Sequence, residues 1–501
     1  MTKDTETMSP YIDLASIRMG GSVMAVSDEY FAPGDNLLLT KAPVFIPDKY
    51  VPTGKWMDGW ESRRRRSPGH DEALVKLGVP GRVHEIVVDT AHFTGNFPES
   101  CKLFGCNRKD NPSAKQLLSE SNRWIPLTGQ KDLKGDTVHS FPVKQVESFT
   151  HILLRIFPDG GVARLRVLGE PTPNWDSLDH SGELVDMAAL ENGGTAIDCS
   201  DMYFGDAKNL LVPGRAKNMA EGWETKRRRG PGHDWATIKL ATPGTISRLD
   251  IDTLHFRGNS PGTCIVESSN GAGLTVSELR DDKHWKPLLP ETQLRPHQSH
   301  RFERELSNLG SITHLRLKIF PDGGISRLRA WGRTARSRDL LIGLGKINHA
   351  DEQTLQTNLA NACASKKWAA LVMKKRPFAS FAEIASTSES AFLNLEERDL
   401  LEACAAHPRI GDKTNEKQSA EEQSGVAGAE AETLEALRAK NKEYESKFGF
   451  VFLVFASGKS AKQMLGHLNE RLANTKENEL KNVAQEHMKI TALRLEKWLR
   501  K

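Results

Sequence analysis

The chain has 501 residues, of which 38% are hydrophobic and 27% charged, so it is long enough for about three globular domains. A formal net charge of +4, from 69 basic and 65 acidic residues, does not favour a nucleic-acid partner or an anionic membrane surface. No apolar run is long enough for a membrane span, and the polar N-terminal residues contain no apolar core of a secretion signal. The six scattered cysteines form no Cys-x-x-Cys pair, so we expect reduced thiols and a cytoplasmic protein.

The main feature along the chain is an internal repeat. Four sequence blocks recur 163 residues later, and two shorter blocks upstream recur 173 residues later. The first copy therefore carries about ten extra residues, which we place in the Pro-rich segment 43–52. A period this long indicates duplicated domains, because the units of a solenoid run about 20–50 residues. The four blocks of the first copy are Gly59-Trp60-Glu61, Pro68-Gly69-His70-Asp71, Asp89-Thr90-Ala91-His92-Phe93 and Ile156-Phe157-Pro158-Asp159-Gly160-Gly161.

Each copy has the pattern of a β domain. Residues 83–89 and 150–156 alternate between apolar and polar side chains in the first copy, as do 246–252 and 313–319 in the second. A further short strand follows each Pro-Asp-Gly-Gly turn. Short strands between Gly- and Pro-containing turns predict a β-sandwich or jelly roll.

The pattern changes after Gly332, where Gly, Pro and β-branched residues become rarer and apolar residues recur every three or four positions. Leu355, Leu359 and Cys363 fit one helical face, which is typical of an all-α bundle. We therefore predict a multidomain fold, with two tandem all-β domains followed by an all-α domain. The predicted boundaries are 1–172, 173–335 and 340–501.

The repeated blocks concentrate side chains that suit hydrolysis of a small anion. An arginine fork would bind a carboxylate. Cleavage of an aminal-type C–N bond needs an acid for the departing nitrogen and a base for water, or a metal ion. The structural alternative is a surface ladder of ion pairs with satisfied core histidines. The candidates are Glu61, Arg64, His70, Asp71 and His92 in the first copy, and Glu224, Arg227, His233, Asp234 and His255 in the second.

These blocks resemble the allantoicase family over about residues 15–334. The resemblance rests on Gly-Trp-Glu-(Ser/Thr)-x-Arg-Arg-Arg-x-Pro-Gly-His-Asp, Asp-Thr-x-His-Phe-x-Gly-Asn and Phe-Pro-Asp-Gly-Gly-(Val/Ile), each present twice and in order. It implies hydrolysis of allantoate to ureidoglycolate and urea by two jelly-roll domains. The differences between the copies do not decide which one holds a working site. A divalent metal is compatible with the candidate set, but the spacing matches no metal signature, so metal dependence is left open.

The strongest local signal in the helical part is Ala406-His407-Pro408-Arg409-Ile410-Gly411-Asp412. Proline fixes its own φ and restricts His407, so the imidazole would be held rigidly. A nearby carboxylate would fix the tautomer of this imidazole, and an arginine could bind a substrate carboxylate. The plainer alternative is that His-Pro only ends a helix.

Four pieces of the helical part, in order, resemble OHCU decarboxylase, whose substrate is 2-oxo-4-hydroxy-4-carboxy-5-ureidoimidazoline. They are His-Pro-Arg-Ile-Gly, Ser-x-x-Glu-Gln-x-Gly, Lys-Phe-Gly-Phe-x-Phe and Arg-Leu-x-Asn, within about residues 340–501. The resemblance implies decarboxylation to (S)-allantoin without a cofactor. The family's catalytic pair falls on His407 and Glu422, and its substrate contacts fall on Pro408, Ser419, Gln423, Arg471 and the backbone after Phe450.

The sequence therefore predicts a bifunctional enzyme of purine and allantoin degradation, a hydrolase and a carboxy-lyase in one chain. We expect small ureides as its ligands, neither nucleic acid nor membrane as a partner, and a possible homo-oligomer. The alternative is a non-catalytic ligand-binding jelly roll in the N-terminal half, with only the decarboxylase active. The two reactions are not consecutive, because allantoin must be opened to allantoate between them.

Overall fold

The computed structural model describes residues 8–410 and 430–500. Within them the chain forms two compact units. A β unit contains the chain up to Asn174 together with Leu184–Thr334, and a helical unit contains Trp175–Glu183 together with the chain from Ala335 onward. All six cysteines are free thiols. In the described part, no helix has the length and apolar character to cross a membrane.

The first repeat is organised around one long strand, β6 (Asp71–Asp89). Its first half pairs with β2 and β11, and its second half pairs with β10 and β13, so this strand is shared by both faces of the domain. The strand order is β1-β13-β6-β11-β7-β8, with β9 paired to β7. The other strands are β1 (Ile12–Asp13), β2 (Ser22–Val26), β3 (Tyr50–Val51), β4 (Gly54–Lys55), β5 (Trp60–Glu61), β7 (Ser100–Cys106), β8 (Ile125–Pro126), β9 (Lys131–Asp132), β10 (Val138–Pro142), β11 (Ser148–Phe157), β12 (Gly161–Val162) and β13 (Arg164–Pro171). The helices are α1 (Ala114–Ser119) and the 3-10 turns Ile17–Met19, Gly34–Leu38 and Ser121–Arg123.

The second repeat has the same plan around β17 (Asp234–Asp252). Its strand order is β14-β23-β17-β21-β18-β19, with β15 and β20 also paired to β17. The other strands are β14 (Val185–Asp186), β15 (Thr195–Cys199), β16 (Trp223–Glu224), β18 (Thr263–Ser269), β19 (Lys286–Gln293), β20 (Ser299–Phe302), β21 (Ile312–Phe320), β22 (Gly324–Ile325) and β23 (Arg327–Thr334). Its 3-10 turns are Leu190–Asn192, Ala207–Leu211, Met219–Glu221, Glu278–Arg280 and Asp282–His284.

The repeated blocks hold each domain together by packing against one another. A Cβ on Gly161 would lie 1.9 Å from Cε1 of Phe93, so only glycine leaves room for that fully buried ring. Gly324 meets Phe256 at the same distance in the second repeat. Two of the doubled blocks are therefore partly explained by packing.

The helical unit contains two hydrophobic cores. One includes Leu355, Leu359 and Trp368, and the other includes Tyr444, Phe452 and Leu468. Its described α-helices are α2 (Trp175–Ser181), α3 (Ala335–His349), α4 (Glu352–Ala362), α5 (Lys366–Met373), α6 (Phe381–Leu393), α7 (Glu397–Ala405), α8 (Ala431–Phe448), α9 (Ala461–Arg471) and α10 (Lys476–Leu499). The order of two β domains and one helical domain confirms the predicted fold class.

Helix α2 lies in the sequence between the two repeats, yet it belongs to the helical unit and packs against α3 and α6. Arg336 on α3 donates from Nε to Glu496 Oε1 at 2.8 Å and forms an ion pair with Asp176 on α2. The His180 ring lies 4.3 Å from that of Phe381. The helical unit is therefore assembled from two separate stretches of sequence.

Candidate active sites

A cleft of about 440 Å³ opens in the first repeat, within the usual size range of small-ligand sites. Two of the candidates chosen from the sequence, Glu61 and His92, line it together. The remaining lining residues are Phe31, Phe45, Lys55, Met57, Thr94, Asn96 and Asp136.

Glu61 is placed in this cleft by a short strand pair. β5 pairs with β12, so Glu61 lies opposite Gly161 of the Pro-Asp-Gly-Gly turn. Its side chain is buried, and Oε1 accepts a hydrogen bond from Asn96 Nδ2 at 2.7 Å. Burial raises the pKa of the Glu61 carboxyl, while the Asn96 contact opposes that shift. A carboxyl group of this kind retains its proton to higher pH and can serve as an acid.

His92 is held in an unusual backbone conformation, with a φ of 68° in the left-handed region. Its backbone N–H donates to Asp136 Oδ1 at 2.8 Å, which stabilises this turn. Its Nε2 lies 3.2 Å from the carbonyl oxygen of Pro43. Because a carbonyl only accepts, Nε2 carries the hydrogen and a neutral ring has its lone pair on Nδ1.

The arginine run serves the fold at one of its positions. Arg65 Nη1 forms an ion pair with the buried Asp71 at 2.9 Å, and Ser27 Oγ donates to the same carboxylate oxygen. Arg228 and Asp234 repeat this pair in the second domain. Asp71 and Asp234 thus anchor the arginine loops to the first residues of β6 and β17.

The other candidates from this loop lie outside the lining of the cleft. Arg64 and Arg227 are exposed. His70 lies 3.5 Å from Glu72 and beside the ring of Phe157, and His233 packs beside Phe320. Burial lowers the pKa of His233, with Lys318 the next contribution.

The second repeat keeps the framework of the cleft but changes its lining. Asn259 donates to Glu224, and His255 Nε2 lies 2.9 Å from a backbone carbonyl, as their counterparts do in the first repeat. His297 takes the place of Asp136, because its Nδ1 accepts from the backbone N–H of His255 at 2.9 Å. At an offset of 163 residues, Lys55 is replaced by Asn218. Phe45 belongs to the extra segment and has no counterpart.

Sequence reasoning missed Lys55, Asn96 and Asp136 as lining residues. Asn96 ends the repeated Asp-Thr-x-His-Phe-x-Gly-Asn block, so its repetition was a usable signal. Lys55 follows the extra segment of the first copy, and no motif marks it. The described residues contain no group of three or more His, Cys, Asp or Glu side chains that could hold a metal ion.

The helical unit has a small pocket beside His407. The backbone stretch that follows Phe450 forms one wall, and α10 forms another. The lining residues are His407, Pro408, Ile410, Leu453, Val454, Phe455, Ala456, Ser457, Ile490 and Leu493. The predicted contacts through His407, Pro408 and this backbone therefore share one pocket.

His407 contacts a second buried histidine in the pocket wall. Its Nε2 lies 3.1 Å from Nε2 of His487, and the two rings meet edge to face. Burial lowers the pKa of His407 to about 3, with His487 and Arg494 as further causes. The imidazole is therefore neutral at physiological pH.

Arg471 lies behind the pocket wall. Its Nε donates to the fully buried Glu479 at 2.7 Å, and its Nη1 donates to the carbonyl of Leu453 at 2.7 Å. Arg409 forms a two-point ion pair with Glu445. The remaining predicted residues of this site, Ser419, Glu422 and Gln423, lie outside the described residues.

Comparisons with known proteins agree with this division of the chain. The model of the allantoicase repeat matches twice, at residues 12–172 and 185–335, and the model of OHCU decarboxylase matches residues 348–496. A probable allantoicase of Pseudomonas aeruginosa (strain LESB58) is 48% identical over 328 residues, which is 64% of this chain and 96% of the relative. A probable allantoicase of Photobacterium profundum is 43% identical over 64% of this chain and 96% of its own length.

Solved structures match the same regions. Allantoicase from Saccharomyces cerevisiae is 32% identical over 65% of this chain and 94% of its own, with a TM-score of 0.56. An OHCU decarboxylase determined in the presence of (S)-allantoin is 35% identical over 28% of this chain and 96% of its own, with a TM-score of 0.26.

Proposed function

This chain belongs to the allantoicase family and carries an OHCU decarboxylase domain, and we propose that allantoate is hydrolysed in the cleft of its first repeat. The chain is a bifunctional enzyme of allantoin metabolism that acts on small ureides. The observation that carries the location is that Glu61, His92 and Lys55, from three separate segments, line one cleft.

The cleft supplies an acid, a base and a cation for the reaction. Allantoate takes up one water and yields ureidoglycolate and urea, so one C–N bond at the central carbon breaks and one C–O bond forms. Glu61, whose pKa is raised by burial, donates a proton to the departing urea nitrogen. The Nδ1 lone pair of His92 accepts a proton from the attacking water. Lys55, whose Nζ lies 4.5 Å from the centre of the Phe45 ring, pairs with the substrate carboxylate.

The first repeat is preferred to the second because its lining is the more complete. Glu61 is buried, whereas Glu224 is only half-buried. Phe45 narrows the first cleft and packs 5.8 Å from the His92 ring. The second repeat has no counterpart of Phe45, and asparagine stands where Lys55 would pair with a carboxylate.

The duplicated framework provides a matched control for this proposal. Glu61→Gln keeps the size and the Asn96 neighbour but removes the acid, so urea release from allantoate should slow about 10²–10⁴-fold. Glu224→Gln should leave the rate within about twofold. A loss confined to Glu224→Gln would move the site to the second repeat, and wild-type rates in both variants would refute catalysis at this position.

In the helical unit we propose that His407 transfers the proton that completes (S)-allantoin after carbon dioxide leaves. The ring lines the pocket and is neutral, so it can exchange a proton without bringing a charge into an apolar site. Glu422 is proposed as its catalytic partner, with Ser419, Gln423 and Pro408 as substrate contacts, on the family resemblance. Arg471 supports the pocket through the Leu453 carbonyl, in addition to its predicted role as a contact.

Arg64 and Arg227 stay predictions as carboxylate contacts, and cofactor needs, oligomeric state and location are also proposals. We propose that decarboxylation needs no cofactor. Metal dependence of urea release can be measured with and without a chelator. A homo-oligomer, a cytoplasmic location and the lack of nucleic-acid or membrane partners stay expectations, testable by light scattering and cell fractionation.

A further inference from the structure

The pair formed by His407 and His487 has no counterpart in the motifs from which the site was predicted. The two residues are 80 positions apart in sequence, and their Nε2 atoms are 3.1 Å apart. His487 is fully buried in α10, whereas His407 keeps a small exposed surface at the pocket. One ring therefore belongs to the pocket and the other to the protein interior.

The distance between two neutral rings requires a single shared hydrogen. Burial lowers the pKa of His487 to about 4, as it lowers that of His407 to about 3. At neutral pH each ring thus carries one hydrogen, on one of its two nitrogens. A nitrogen–nitrogen contact of 3.1 Å is a hydrogen bond only if one Nε2 donates and the other accepts. The hydrogen bond therefore links the tautomers of the two rings.

His487 is itself held in place on its other sides. Its Nδ1 lies 3.1 Å from Thr491 Oγ1, one turn further along α10. Its ring packs 5.2 Å from that of Phe392. His407 is fixed at its backbone, where its N–H donates to the Cys404 carbonyl at 3.0 Å and proline follows. The His407 ring is thus restrained by its backbone and by one immobile partner.

We propose that His487 is a positioning residue of the decarboxylase site, which holds His407 through Nε2 and leaves Nδ1 as the nitrogen that acts on the substrate. This inference rests on the proposed role of His407. Aromatic or aliphatic packing could fill the same space, but only a side chain that hydrogen-bonds would select a tautomer. A buried polar group without a partner would be costly, so a pair that is mutually satisfied is also consistent with the fold.

The test uses the full chain and measures chiral allantoin formation by circular dichroism. His487→Leu should lower kcat about 10–100-fold, the range for loss of an orienting partner, with KM changed less than about threefold. His487→Gln retains a hydrogen-bonding group and should recover part of that loss. His467→Leu removes an exposed histidine of the same unit and should have no effect. His407→Gln provides the reference for loss of the proposed catalytic ring.

A direct reading of the tautomer separates positioning from packing. In protein with ¹⁵N-labelled histidine, His407 should show one dominant tautomer, and addition of (S)-allantoin should shift its Nδ1 resonance more than its Nε2 resonance. In His487→Leu the two tautomers should become mixed. A wild-type kcat and an unchanged tautomer in folded His487→Leu would refute the inference. If His407→Gln itself forms chiral product at the wild-type rate, the proposed role of His407 fails instead.

Discussion

At the scale of single residues, duplication separates the part of a motif that builds the fold from the part that can do chemistry. The Arg65–Asp71 pair recurs as Arg228–Asp234, with the same contacts, and therefore follows the fold. The sequence could name a cluster of arginines and acids here. It could not say which arginine turns inward, because adjacent positions of an irregular loop have no fixed period.

The first prediction compares two neighbouring arginines. Arg65→Ala leaves Asp71 buried without its ion-pair partner and should lower the free energy of unfolding of the β unit by about 1–3 kcal/mol, since Arg65 itself is partly exposed. Arg64→Ala removes an exposed side chain and should change it by less than about 0.5 kcal/mol. Urea unfolding followed by circular dichroism measures both. Equal losses in the two variants would contradict a special role for Arg65.

The decarboxylase pocket shows how far a motif carries the prediction of a site. His407 and Pro408 were identified from a short block, and the backbone after Phe450 from another, and all three line the pocket. His487 was not identified, because it stands in an amphipathic helix where a histidine at a core position carries no signal of its own. Only the packing of α10 against the end of α7 brings it to His407.

At the scale of elements, the sequence predicted half of the principal strand in each repeat. Alternation marked residues 83–89, but β6 begins at Asp71 and is 19 residues long. Pro80-Gly81 in its middle reads as a turn, whereas in the structure the strand continues through a register shift there. Gly81 is needed because a Cβ would lie 2.6 Å from the Glu170 carbonyl oxygen.

Helix α2 was not predicted as part of the helical unit, because contacts between distant segments leave no local pattern. A fragment that starts at residue 340, the predicted domain boundary, lacks both α2 and Arg336. The hypothesis that fragments 1–335 and 340–501 fold independently must therefore allow for a helical fragment without one of its helices.

The second prediction tests this connection in the intact chain. Arg336→Ala removes the ion pairs with Asp176 and Glu496, so amide exchange in α2 should become about 10-fold faster, equivalent to roughly 1.4 kcal/mol. Arg338→Ala, two residues along the same helix, removes an exposed charge and is the control. Hydrogen exchange read by mass spectrometry over residues 175–181 gives the answer. Equal exchange in the two variants would mean that Arg336 does not hold α2.

At the scale of the whole molecule, the two activities join enzymes that are not consecutive. The decarboxylase forms allantoin, and the allantoicase consumes allantoate, so a ring-opening hydrolase has to act between them. The fusion thus gives equal amounts of two enzymes and not a direct transfer of one product to the next site.

The third prediction concerns stability against acid. Burial lowers the pKa of His151, His314 and His487 to about 4 and that of His407 to about 3. Between these values and about 6.5, the unfolded chain binds more protons than the folded chain, so stability is complete above about pH 6.5 and falls on acidification. Each histidine can contribute up to about 1.4 kcal/mol per pH unit in that window.

The measurement is the urea midpoint at several values between about pH 7 and pH 5. Replacing a buried histidine by glutamine, as in His314→Gln, removes one titrating group and should flatten the decline. His139→Gln, at a less buried position of the first repeat, should leave the slope unchanged. A decline of the same steepness in all three proteins would show that these buried histidines do not set the acid sensitivity.

The most direct test of the central claim, two independent active sites in one chain, assays both reactions in the same three proteins. Wild type should release urea from allantoate and form chiral allantoin from freshly generated ureidoimidazoline. Glu61→Gln should lose about 10²–10⁴-fold in the first assay only, and His407→Gln should lose about as much in the second assay only. If either folded variant lost both activities, or kept both at the wild-type rate, the assignment of the two sites would be contradicted.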